Sequence, residues 1–228
     1  ALYTDNEDAT ALEQLQTTAE GLVDQLNESL VNSGDTYYLE FAQIGVLVNL
    51  PGYGESPGIA DPYARFASGH LQAVRNYEAL LNAPRRETEA ADFAILLVAD
   101  QGNPNENPPR PVWGVAYTQR NNCALDGLCD VGDGVYPVPN FSYRAYAFGV
   151  VSVNPQAQNL TFAHEVGHML GSNHDGNVQF PQVGLRGAFT FSYGYRIPTI
   201  ARDIMADPRC IDTNGDTIAD QCTERQAQ

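Results

Sequence analysis

The sequence contains no lysine: all 12 basic residues are arginines, and 28 acidic residues give a formal net charge of -16. So acidic a surface repels phosphate backbones and anionic lipid, which argues against nucleic acid and membrane surfaces as partners. Long apolar runs are missing as well. No stretch approaches the roughly 18 unbroken apolar residues of a membrane-spanning helix, so no membrane insertion is expected. Cysteine is scarce, and neither close pair, Cys123 with Cys129 or Cys210 with Cys222, has the CxxC spacing of a zinc knuckle or a redox site. There are only four histidines and two methionines, Met169 and Met205, so where they fall is informative.

A chain of 228 residues is long enough for one substantial core or for two lobes sharing a cleft. Disulfides are the expected use of the cysteines. Three connectivities are open; pairing neighbours, Cys123–Cys129 and Cys210–Cys222, closes small loops in polar segments rich in Gly and Asp that would not pack firmly alone. Such bonds imply an oxidising compartment and hence a secreted, extracellular protein. The opening Ala1-Leu2-Tyr3-Thr4 reads like the tail of a strand, with further sequence expected upstream.

Between Asp8 and Asn32, apolar residues recur at Leu12, Leu15, Ala19, Leu22, Leu26 and Leu30, a helical stripe that ends near Gly34. Residues Tyr37 to Leu50 predict a long strand stopped by Pro51-Gly52. A second helix is expected from Asp61, with Pro62 in its first turn, through Phe66, Val74, Tyr77 and Leu81. Its His70 reads as an ordinary helix residue. ADFAILLVA (Ala91 to Ala99) predicts a strand covered on both faces. VWGVAYT (Val112 to Thr118) and AYAFGVVSV (Ala145 to Val153) predict two more strands, and Gln158 to Leu170 a helix. This order predicts an α/β (α+β) domain with one mixed sheet, then a small irregular lobe.

The chemistry concentrates in His164-Glu165-Val166-Gly167-His168-Met169-Leu170-Gly171-Ser172-Asn173-His174-Asp175. On a helix His164 and His168, four apart, project from one face and can bind one metal ion. Glu165 stands beside the first ligand, within reach of a water on that metal. Gly171 permits a positive φ that ends the helix and brings His174 round as a third ligand. Three neutral imidazoles are a typical set for a catalytic zinc.

The pattern HExxHxxGxxHD resembles the metzincin metallopeptidases, and within them the reprolysin or adamalysin-like branch of a secreted, bacterial type, marked by an Asp after the third His, as Asp175 is here. The resemblance implies a mixed twisted sheet with long helices in an N-terminal lobe, a zinc helix at the cleft floor and a small C-terminal lobe. That lobe should carry a Met-turn beneath the metal, and Arg202-Asp203-Ile204-Met205-Ala206 stands where it should. The resemblance spans roughly residues 1–208, with lobes at about 1–171 and 172–208. VWGVAYT resembles the family's substrate-side edge strand, which assigns Gly114, Val115 and Ala116 to substrate binding. Position 207 is Asp, where some metzincins place a tyrosine ligand, so a three-histidine site plus water is implied. Tyr193 and Tyr195 are candidates to line the substrate pocket or help stabilise the oxyanion, with packing of the second lobe the favoured alternative.

Residues 209–228 form an acidic tail whose Asp212, Asn214, Asp216 and Asp220 have the alternation of a calcium loop. The tail resembles a thrombospondin type 3 repeat; a solvated acidic tail is the alternative. Asp126, Asp130 and Asp133 form a weaker calcium candidate, where a plain turn is favoured. The reading reached is a monomeric zinc endopeptidase acting on protein or peptide substrates, with Glu165 as general base. The alternatives are a zinc-containing adhesion module without turnover and a hydrolase of cell-wall peptides.

Overall fold

The structure, a computed structural model, describes residues 2–4, 9–40, 44–46, 69–75, 91–98, 113–118, 147–153, 160–174, 194, 196–197, 201–205, 210–211 and 221–222. The chain divides into two compact units, Ala1–Tyr117 with Arg144–Val166, and Thr118–Tyr143 with Gly167–Gln228.

The first unit is built on a five-stranded sheet of order β2-β1-β3-β5-β4, made of β1 (Leu2–Thr4), β2 (Ile44–Val46), β3 (Ala94–Val98), β4 (Gly114–Ala116) and β5 (Phe148–Ser152). The β1–β2, β1–β3 and β3–β5 pairs are parallel, and only β4 runs antiparallel to its neighbour, with Gly114 opposite Val151 and Ala116 opposite Gly149. The sheet is thus mixed, as the element order predicts. All five residues of β3 and of β5 are buried, and this is why both read as nearly unbroken apolar runs rather than alternating ones. One face of the sheet presents Ala94, Leu96, Val98, Phe148 and Val150 to Leu71 and Val74, and Val115 and Tyr117 pack against the same cluster. Leu71 and Val74 come from a helical turn at residues 69–75 inside the expected second helix. Burying a side chain such as Leu96 stabilises the fold by about 1.5–3 kcal/mol.

Helix α1 (Ala9–Asn32) buries Ala19 and Leu26 of the apolar stripe and, beside them, Val23, while Leu15, Leu22 and Leu30 are half-buried. It ends at Gly34, whose φ of 81° allows Gly34 N–H to donate to Val31 O and Asp35 N–H to Leu30 O, both at 2.9 Å, the paired bonds of a Schellman cap. The long strand expected over 37–50 is corrected: residues 35–40 form neither helix nor strand, and β2 is only Ile44–Val46 among the described residues. The reason is local. Asn27 on α1 claims the backbone of Leu39 in both directions, Nδ2 donating to Leu39 O at 2.9 Å and Oδ1 accepting from Leu39 N–H at 2.7 Å. Those groups are therefore spent on the helix and cannot join a ladder.

In the second unit, β6 (Arg196–Ile197) pairs antiparallel with β7 (Ala201–Arg202), and β8 (Cys210–Ile211) with β9 (Gln221–Cys222), setting Cys210 opposite Cys222. No helix among the described residues is long and apolar enough to cross a membrane.

Candidate metal centre

Helix α2 (Thr161–Met169) carries the first two histidines. It buries Phe162, Ala163, Val166 and Met169, the i, i+1, i+4, i+7 positions that anchor a helix along one face. His164 and His168, four apart, then share a second face. At Gly171 φ is 94°; Gly171 N–H donates to His168 O and Ser172 N–H to Gly167 O, each at 2.9 Å, again a Schellman cap. The reversal returns the chain so that His174 meets the helix. Ligand nitrogens of His164, His168 and His174 all lie within 4.8 Å of one another. We expect Gly171→Ala to lower the melting temperature by roughly 2–8 °C, since a side chain at this φ costs about 1–2 kcal/mol; an unchanged melting curve would remove the cap from the account.

The tautomer of His168 follows from its partner. Its Nδ1 lies 2.9 Å from Ser172 O, and since a carbonyl only accepts, Nδ1 carries the proton and Nε2 presents a lone pair. That Nε2 stands 3.1 Å from His174 Nε2, and the two rings are tilted by 53°. Ligand nitrogens around a tetrahedral zinc at about 2.0–2.1 Å stand about 3.3–3.4 Å apart, close to the 3.1 Å of this one pair. His174 is itself held in place, its N–H donating to Asn173 Oδ1 at 2.9 Å, while Asn173 O accepts Gly194 N–H at 2.8 Å.

Glu165 is buried, and its Oε2 has no hydrogen-bond partner among the described residues. Burial pushes its carboxyl up to about 8, because it strips water from the anion. Three imidazole nitrogens converge at residues that bracket this buried carboxyl in the sequence, and a cation held by them would favour its ionised form. The donor set therefore fits a divalent metal, and three imidazole nitrogens suit zinc.

Met205 lies in a turn at residues 204–205, pinned by its N–H donating to Asp203 Oδ1 at 2.9 Å, a local bond that stabilises turns. It is buried, and a Cβ added at Gly167, between the two helical histidines, would collide with its sulfur. Gly167→Ala should accordingly cost about 1–3 kcal/mol through overpacking, visible as a lower melting temperature; a variant as stable as the parent would show that the sulfur moves aside freely.

Of the residues singled out from the sequence, His164, His168 and His174 are brought together, Glu165 lies against Gly114 of β4, and Met205 lies against Gly167. His70 is buried in the helical turn. Asp175, Tyr193, Tyr195, Cys123, Cys129, Asp126, Asp130, Asp133, Asp212, Asn214, Asp216 and Asp220 lie outside the described residues. Sequence reasoning missed Ser172, Asn173 and Asp203. Asp203 alone carried a signal, as an Asp two residues before the turn methionine. Ser172 acts through a backbone carbonyl, which leaves no mark in the residue type.

The family profile of the reprolysin-like metallopeptidases, family M12B, matches residues 25–175, about two thirds of the chain. Among curated proteins nothing matches. A solved structure described as that of a chaperone-substrate complex has a similar fold, with a TM-score of 0.54 at 15% identity over 96% of this chain. This chain spans only 27% of that one, and at such identity the likeness concerns the fold alone. The profile match ends on Asp175, so it takes in the whole histidine segment, and the chain belongs to the reprolysin-like metallopeptidases of family M12B.

Proposed function

We propose that this protein is a secreted zinc endopeptidase in which His164, His168 and His174 hold the metal and Glu165 is the general base. The observation that carries the reading is the convergence of three imidazole nitrogens, from His164, His168 and His174, with the buried Glu165 following the first of them in the chain. A zinc held by these three residues would acidify water toward neutral pH and polarise a peptide carbonyl. Glu165 takes the proton of the attacking water and returns it to the departing amine nitrogen, so that one water and one amide give an acid and an amine. His168 stays a lone-pair donor because Ser172 O holds its Nδ1 proton. This use of Glu165 favours an enzyme over an adhesion module, which needs no base at that place.

The position of β4 supports a peptide substrate. Trp113 O and Tyr117 N–H are bonded to β5, at 2.7 and 3.1 Å. By the alternation of an antiparallel ladder, Gly114 and Ala116 then turn their N–H and C=O groups to the other side, where no described strand lies. An extended peptide can pair with that edge, leaving side-chain pockets to set preference. The turn at Met205, against the helix between the two ligands, supports its reading as the Met-turn.

Secretion rests on the cysteines: Cys210 and Cys222 are directly opposite in the β8–β9 ladder, a register that suits the proposed bond. Calcium at Asp212, Asn214, Asp216 and Asp220, the boundary at 208 and 209 and the monomeric state rest on the sequence alone. The test of function is cleavage of an unfolded protein with the fragments mapped. Internal cuts that stop on chelation and return with zinc are expected; removal of terminal residues only, or cleavage indifferent to chelation, contradicts the reading.

A further inference from the structure

A Cβ built on Gly114 would lie 2.6 Å from Glu165 Oε1, 2.7 Å from its Cγ and 2.9 Å from its Cδ. No real Cβ tolerates three such contacts, so an alanine here cannot coexist with the present rotamer of Glu165. All three contacted atoms belong to the Glu165 side chain, so relieving the clash requires that side chain to shift. Gly114 also belongs to the edge strand, and its backbone groups face away from β5, where no described strand lies. At this residue the outermost strand and the base are thus in contact, backbone against carboxylate.

We propose that Gly114 is a positioning residue for Glu165: by having no side chain, it lets the carboxylate rest on the edge strand and so fixes the distance between the base and a peptide paired with that strand. The proposal rests on the reading of Glu165 as the base. Displacing a reacting group by about 1 Å can cost about 100-fold in rate, and the clash at Gly114 demands a shift of that order. A defect in strand pairing would act on KM; a displaced base acts on kcat.

The experiment uses Gly114→Ala, Glu165→Ala and the double variant. In the zinc-loaded enzyme, Gly114→Ala is expected to keep about one zinc per chain and lose about 100-fold in kcat, with KM changed by less than about threefold. In the metal-free protein it should lower the melting temperature by roughly 2–10 °C. In the Glu165→Ala background the three clashing atoms are gone, so the same substitution should change the melting temperature by no more than about 1 °C. Should Gly114→Ala fail to fold, the double variant must fold for the proposal to stand. A normal kcat, a loss confined to KM, an equal loss of stability in both backgrounds, or a double variant that does not fold overturns it. Glu165→Gln assayed alongside separates the two failures: if that variant turns over, the base assignment is wrong, and if it is inactive while Gly114→Ala is fully active, only the positioning role is.

Discussion

Glu165→Gln is expected to retain about one zinc per chain while kcat falls by about 10²–10⁴, the usual share of a general base. The substitution keeps the volume of a side chain that is only 4% exposed, so packing against Gly114 persists. It fixes the side chain in the neutral form that burial favours, the same effect that drives the carboxyl up to about 8. The metal-free variant should therefore melt no lower than the metal-free parent. Three imidazoles still hold the metal, because Glu165 is not among them. Parallel zinc assays, melting curves and steady-state kinetics check all three statements, and substantial turnover by the variant would withdraw the role of Glu165.

His168→Ala should lose both metal and activity. It deletes one of three ligands and, with it, the bond that ties the helix end to Ser172 O. Loss of an outer partner alone costs about 10–100-fold in metal affinity, and loss of a ligand costs more. Because a metal that binds the folded chain stabilises it by mass action, the variant as purified should melt well below the parent. Chelation should bring the parent down to a comparable level, and added zinc should restore the parent only. Titration of zinc into each metal-free protein, followed by melting, decides the point; an undiminished zinc affinity in His168→Ala would place the metal elsewhere.

The legible parts of this protein were those governed by period and by rare residue types. The stripe from Leu12 to Leu30 shows α1 because a helix on a core must repeat apolar residues every three to four positions. The run Ala94–Val98 shows a central strand because both its faces are covered. Three of four histidines in eleven residues mark the site because few structural needs place them so. Illegible were the effects of contacts distant in sequence. The segment after Gly34 has strand composition, yet Asn27, 12 positions before Leu39, takes the backbone groups a strand would need. The meeting of Gly114 with Glu165, 51 positions apart in number, arises only when β4 and α2 are folded. The Nδ1 proton of His168 is fixed by a carbonyl that any residue at 172 would supply.

The central claim is that one zinc sits among His164, His168 and His174. Anomalous diffraction from crystals of the active protein, recorded on both sides of the zinc absorption edge, tests it directly. A single peak bounded by the three imidazole Nε2 or Nδ1 atoms, absent after chelation, is the predicted result. Active crystals with no zinc signal there, or with the signal at another cluster, would contradict it.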